Sequence, residues 1–388
     1  KDITVNAQVN AQYVSFDIGK NKLECNDTSK VYNVYGSTEK NHIKIKGGTA
    51  QRPIIVNLKN GLKIDLRNKS ASPIEVTKNS YAKIYIGKGD SNAKINLYGG
   101  HKSGIGKNWG YAGISCHEKS HVLISGDGTL NVYGGGEKYG GAGIGGNYND
   151  NVRNLTIDGN MSINATGAHS APGIGSGRDG ILYDLTINDG NITARGGENA
   201  PGIGAGEAIG FEGGDLYNLT INGGNIQAHG GKDAAGIGCS DGGDLKGTIA
   251  INGGNIEAGG GKYGAGIGGG SGHGTLSKFY VTGGYISAHA GNSDATDIGH
   301  GGDLYGIDKR LKKDGKIEIS GGTLLSNKIS DEADIIIDGG SVSANILRAK
   351  NSIKENVYRA TLTLADPPNG NVEIFPHSQS KAYGRKDI

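Results

Sequence analysis

The residues best suited to chemistry in this chain are acids that recur at one place in a long repeat. After each Gly-Ile-Gly comes a polar turn. It carries in succession Arg178 and Asp179, then Glu207, Glu212 and Asp215, then Asp241 and Asp244, then His273, then His300 and Asp303. If equivalent positions of successive repeats stack as strands do, neighbours lie ~4.8 Å apart and alternate repeats ~9.6 Å apart. Two carboxylates ~5–5.5 Å apart suit a retaining glycosidase, and a pair ~6.5–9.5 Å apart suits an inverting one. Asp179, Glu207, Glu212, Asp215, Asp241 and Asp244 are therefore the candidate catalytic acids. The same acids could hold calcium, which takes oxygen ligands; a lyase would pair it with a base such as Arg178 or Lys246. The competing reading is structural: in Gly-Gly-Asp-Leu, residues Asp215, Asp244 and Asp303 bond their own backbone as turn residues.

Tyrosine is the second signal, with 18 Tyr against 4 Phe and a single Trp. Tyr183, Tyr217 and Tyr305 share a Leu-Tyr context just after the acidic turn. A ring with a polar tip suits a platform for sugars, although tyrosine is also a good strand residue in its own right. Together with Arg178, His273, His300 and Asp303, these tyrosines form the candidate glycan-binding set. His229 and His289 share one outward position with Arg195 and Thr166, a mixed polar stripe, and Asn191, Asn225 and Asn255 recur at one corner as a structural ladder.

What positions these side chains is a repeat of about 30 residues. Gly is 73 of the 388 residues, and it follows no three-residue period, so a longer period has to be sought. Three apolar series share one step: Ile114, Ile144, Ile174, Ile203, Ile237, Ile267 and Ile298; Ile163, Ile192, Ile226, Ile256 and Ile286; and Ile157, Ile187, Ile221, Ile251 and Val281. Around each, side chains alternate as in Leu219-Thr220-Ile221, the pattern of a short strand with one face inward. Strands so short bury a core only by stacking repeat on repeat. The expected fold is an all-β, single-stranded right-handed parallel β-helix with three short strands per coil, filled by isoleucines, with Gly-rich corners. Its expected parts are a cap and irregular first coils over 1–95, regular coils over 96–310, and shorter coils with an exit strand over 311–388. About 10–12 coils at ~4.8 Å each predict a rod of about 50–60 Å.

The run Ser125-Gly126-Asp127-Gly128-Thr129-Leu130, followed by Gly140-Gly141-Ala142-Gly143-Ile144-Gly145-Gly146, resembles the glycine-rich surface proteins of Gram-positive bacteria. In these, "GG-x-I-x-A-x-GG…AGIGGG" coils repeat many times, and the resemblance covers roughly residues 80–345. It implies a secreted or cell-surface carbohydrate-binding or adhesive β-helix within a larger multidomain protein, with a polysaccharide or glycoconjugate as partner. The chain departs from that pattern at Glu207–Glu212, where four residues are added, at Asp297-Ile298, and in the basic loop Lys309–Lys313. Insertions of this kind map to loops on one face of a solenoid. A glycan-active hydrolase or lyase, and a structural stalk, are the alternatives.

Other functions lack their signals. Forty Lys and Arg against 38 Asp and Glu leave +2, too little for a nucleic-acid partner. No apolar run is long enough to span a membrane. Cys25, Cys116 and Cys239 are odd in number and far apart, which predicts buried free thiols. Glycine strings such as Gly268-Gly269-Gly270 precede no helix, so they are corners and not phosphate cradles. No Ser-His-Asp set, zinc spacing or cofactor motif is present.

Overall fold

A computed structural model describes residues 11–102, 109–208, 214–241, 243–272, 275–302, 315–329 and 333–347, and the backbone of 352–355, 360–364 and 371–374. All regular structure within these residues is β-strand. The strands run parallel, coil upon coil, apart from a small antiparallel hairpin, His101–Lys102 with Trp109–Gly110. This is a parallel β-helix solenoid.

The three apolar series stack in register. On the first face Ile157 pairs with Ile187, then Ile221, Ile251 and Val281. On the second Ile163 pairs with Ile192, then Ile226, Ile256 and Ile286. On the third Ile114 leads through Ile144, Ile174, Ile203, Ile237 and Ile267 to Ile298. These side chains are buried and belong to one continuous core. Each contributes roughly 1.5–3 kcal/mol by leaving water.

The stack holds more coils than a uniform 30-residue step predicts. The first face runs from Gln12–Asp17 to Asn371–Ile374 through fourteen strands. The end coils carry almost no loop: Tyr13 pairs with Val31 and Ile319 with Ile337, each 18 residues on. At ~4.8 Å per rung the rod is about 60 Å long. Coils are present from Gln12 onward, within the segment 1–95 expected to hold a cap and irregular first coils; residues 1–10 lie outside the described set. Beyond Ala360–Leu364, Asn371–Ile374 stacks on Ser352–Glu355.

The Gly of each third-face Ile-Gly is a strand residue; in the string 268–270, expected as a corner, this holds of Gly268. Gly175 and Gly204 both have φ +146°, and a Cβ on Gly204 would lie 1.8 Å from the Gly238 carbonyl oxygen of the next coil. Only hydrogen fits there, which explains why Ile-Gly recurs.

Polar ladders complete the stack. Asn222 Nδ2 donates to Asn188 Oδ1 at 2.8 Å, Asn252 Nδ2 to Asn222 Oδ1 at 2.9 Å, and Thr282 Oγ1 to Asn252 Oδ1 at 2.8 Å. At the expected corner Asn255 donates to Asn225 at 3.0 Å. All three cysteines are free and buried, as expected. Burial pushes the Cys116 thiol up to about 12 and raises those of Cys25 and Cys239 as well, so none is a reactive thiolate at neutral pH.

Candidate functional site

The acidic turns do not gather into an open carboxylate site; the stack itself takes them up. Arg178 is 7% exposed. Its guanidinium donates to the Lys138 carbonyl at 2.7 Å, lies 3.3 Å from a Glu207 carboxylate oxygen, and sits 4.9 Å from the centre of the Tyr139 ring. Asp179 adopts φ +59°, and its amide donates to the Glu207 carbonyl at 2.8 Å. These two residues pin neighbouring coils together. His300 is 3% exposed and is likewise internal. The expectation that Arg178 and His300 touch a glycan is thus corrected, because stacking covers both. Glu212, His273, Asp303 and Tyr305 lie outside the described residues.

Asp215 and Asp244 are turn residues, yet they bond the next coil and not their own backbone. Asp215 Oδ1 accepts the Asp244 amide at 3.1 Å, and Asp244 Oδ1 accepts the Thr275 hydroxyl at 3.3 Å. Between Leu245 and Thr248 the strand bulges against its neighbour. A bulge re-aims side chains, and here Lys246 Nζ lies 2.7 Å from Asp215 Oδ2. Burial, and then the Asp215 carboxylate, raise Asp244 above the usual carboxylate range. Asp241 is half-buried and adds, after burial, to raising nearby Asp233. Among the described residues no group of three or more His, Cys, Asp or Glu could hold a metal ion, so the calcium expectation finds no ligand set there.

The Asp244 shift has a measurable consequence. A carboxyl whose folded pKa exceeds its unfolded value keeps its proton to higher pH in the folded state. Its stabilisation is complete below the ordinary value of ~3.9 and is lost as pH rises through the raised folded value. Asp244→Asn keeps the acceptor for Thr275 without the charge. It should raise the thermal midpoint at pH 7 and leave it nearly unchanged at pH ~3. Melting curves at the two pH values check this; a lower midpoint at pH 7 would contradict it.

Open space lies elsewhere, on the outside of the first face nearer the N-terminus. Register places Tyr13, Val31, Ile55, Lys83, Leu123, Thr156 and Thr186 in one outward row. Alternation would favour polar residues there, yet Val31, Ile55 and Leu123 are aliphatic, Val31 buried and the other two partly open to solvent. A second row, beside the first, carries Tyr81, His121, Asn154 and Asp184. The Tyr81 and His121 rings stack with centroids 4.2 Å apart and planes 4° from parallel.

Two clefts follow these rows. One, of about 630 Å³, is lined by Tyr81, Lys83, His121, Leu123, Thr156 and Asp184 among others. The other, of about 670 Å³, is lined by Tyr13, Val31, Ile55, Lys59, Tyr85 and Lys88 among others. They share Pro53 and Lys83 and so adjoin, the pair making up a trough along the rod axis. From the Tyr13 rung to the Thr186 rung it is roughly 29 Å long.

At the far end of the trough the two described tyrosines of the expected platform are in place. The Tyr183 and Tyr217 rings stack at 5.1 Å, and the Arg153 guanidinium lies 4.1 Å from the Tyr183 ring centre. Arg153 Nε is also 3.8 Å from Asp184, which lines the trough. These tyrosines thus lie beyond the end of clefts that the repeat spacing does not predict.

A second hollow of about 600 Å³ lies on the third face, lined by Lys22, Glu24, His42, Lys44, Glu75, Tyr111, His117 and Asn147 among others. It forms in the coil where Ile84 pairs with Ile124, a 40-residue step whose extra length includes the His101–Gly110 hairpin and Tyr111. His117 Nδ1 lies 3.3 Å from Asp150 Oδ2. Asn147 holds this corner: its side chain accepts from the Ala112 amide at 2.8 Å and donates to Asp150 at 2.9 Å. Near the same hairpin, Trp109, Tyr148 and Tyr139 form an aromatic cluster, with centroids 5.9 and 4.9 Å apart along the series.

Comparison with known proteins agrees with the geometry. A β-helix repeat family matches residues 185–207, 219–241 and 249–271. The chain is a β-helix repeat protein. Each matched segment begins on the first face and ends just past the third, so one match is one coil of the solenoid. No curated protein matches the chain, and no solved structure does. No helix among the described residues is long and apolar enough to cross a membrane.

Proposed function

We propose that this β-helix is a secreted or cell-surface carbohydrate-binding module, part of a larger adhesive protein, that holds a polysaccharide segment along its first face. The observation that carries the reading is the pair of adjoining clefts between the Tyr13 and Thr186 rungs, with aliphatic floor residues and the Tyr81–His121 stack beside them. Sugar rings present apolar C–H faces that pack on aromatic rings, and their hydroxyls need polar neighbours. A trough parallel to the rod axis suits a linear polymer, because successive rungs offer successive contacts. Many modest contacts then add along the chain.

A glycan array followed by titration of any polysaccharide that binds tests this. The double variant Tyr81→Ala, His121→Ala should weaken binding by about 10-fold or more, since base- or sugar-sized rings gain on the order of 1 kcal/mol per aromatic contact. Trp109, the chain's single tryptophan, lies outside the trough and serves as a position marker. A ligand that quenches Trp109, and whose affinity falls with Trp109→Ala and not with the double variant, would move the site to the third-face cluster. No binding to any glycan would favour the stalk.

The enzyme reading has one observation in its favour, the His117–Asp150 contact beside the third-face hollow. The two side chains lie close but are not hydrogen-bonded, so a small reorientation would be needed to give the histidine–carboxylate pair of a general acid–base. Product release from a bound polysaccharide, abolished by His117→Ala, would establish it. Polymer that binds and is recovered at full length would rule it out.

A further inference from the structure

Resting on the reading above, we propose that the N-terminal half of the trough takes a polyanionic polysaccharide, with uronate carboxylates or sulfate esters seated at Lys83 between Lys59 and Lys88. The charge distribution along the trough is what points there. The half from Ala11 to Gly89 is lined by these three lysines and by no Asp or Glu, whereas the other half adds Asp158 and Asp184. A chain with a net charge of only +2 does not produce such a segregation by excess of lysine alone. The acid nearest to this half by hydrogen bonding, Asp127, is engaged at the rim, where its Oδ2 accepts the Gly89 amide at 2.8 Å.

Lys83 is the centre of the site. It lies in the outward row between Ile55 and Leu123, so its stem crosses an aliphatic floor. Among the described residues no salt bridge joins Lys59, Lys83 or Lys88 to a carboxylate. Lys83 is half-buried, and burial followed by the repulsion of Lys88 lowers its pKa. A partly desolvated ammonium without a counter-ion is a standing cost that an incoming anion relieves. Lys88 is held ready by its contact with the Tyr85 ring, 4.4 Å from ammonium to centroid. Beyond Lys83 the far half carries no lysine cluster: Asp158 and Asp184 line it, with Arg153 3.8 Å from Asp184, so it offers acceptors for hydroxyls and little net charge.

The test is titration of the full chain with a polyuronate, a sulfated glycan, a neutral polysaccharide and a single-stranded oligonucleotide, each at low and high salt. The expected result is binding to one or both acidic glycans, weakening steeply with salt, because exposed charge pairs are screened. The two acidic arms tell which anionic group is preferred. Lys83→Gln should lose about 10- to 100-fold, the effect of one charge-assisted hydrogen bond, with smaller losses for Lys59→Gln and Lys88→Gln. Glu257→Gln, on the exposed side of the second face, should change nothing, and unchanged melting curves show that each variant folds. Equal, salt-independent binding to the neutral polymer would overturn the anionic assignment and leave the trough reading intact. Binding to the oligonucleotide as tight as to the acidic glycans would overturn the saccharide specificity. Failure to bind any polymer would overturn both.

Discussion

Gly204→Ala should destabilise the solenoid by at least ~3 kcal/mol, whereas Gly61→Ala should cost no more than about 1 kcal/mol. Both glycines have positive φ, +146° at Gly204 and +77° at Gly61, so both substitutions strain the backbone. They differ in what the new methyl group meets. At Gly61 nothing lies within 4 Å, while at Gly204 the Gly238 carbonyl oxygen would stand 1.8 Å away. That oxygen is backbone of the next coil and cannot rotate aside. Relief requires the coils to separate, and this breaks the Ile203–Ile237 pairing beside it. Chemical denaturation of the two variants gives the comparison directly; equal losses would mean that strand stacking does not require glycine at this position.

Ile221→Ala is expected to cost about 2–5 kcal/mol, the range for removing a fully buried branched side chain from a packed interior. Ile221 is fully buried and stacks between Ile187 and Ile251. Stacked rungs cannot close a gap by sliding, because each strand is fixed by hydrogen bonds on both sides. The loss should therefore be local first. In a repeat array each coil is stabilised chiefly by its neighbours, so hydrogen exchange should accelerate around residues 185–255 before the ends of the rod respond. Gln227→Ala, on an exposed second-face position, should leave both stability and exchange unchanged.

Far more of the fold than of the site was legible in the residue order. Isoleucines at a shared step of about 30 residues identify inward positions, and inward positions alone define a stacked prism. The Gly of each third-face Ile-Gly belongs to a short strand while the glycines after it leave the strand, and the residue order does not mark where one ends. A string of glycines looks the same at a turn and in a strand whose neighbour approaches closely. The partners of the acidic turns are not legible for a related reason. Asp215 lies at the right spacing for chemistry, yet a bulge that brings Lys246 to it cannot be read from spacing.

The trough was missed because it depends on outward residues from coils of unequal length. Ile55, Lys83, Leu123 and Thr156 form one row, but the sequence steps between them are 28, 40 and 33 residues, so no single period aligns them. One signal was present: Leu123 sits between the inward Val122 and Ile124 and is apolar where alternation calls for a polar residue. An apolar residue on the outside of a solenoid asks what covers it. The stacking of Tyr183 on Tyr217 is legible from sequence because both lie in the regular part, where the repeat aligns equivalent positions.

The most direct test uses the inertness of the native thiols. Cys25, Cys116 and Cys239 are buried, so a cysteine placed on the surface should be the one site that a bulky maleimide labels in the folded protein. Thr156→Cys lies in the trough and Glu257→Cys on the second face. Labelled at position 156, the protein should lose polysaccharide binding; labelled at 257, it should bind as the unlabelled protein does. Full binding with a bulky group at 156, or loss of binding with one at 257, would contradict the placement of function on the first face.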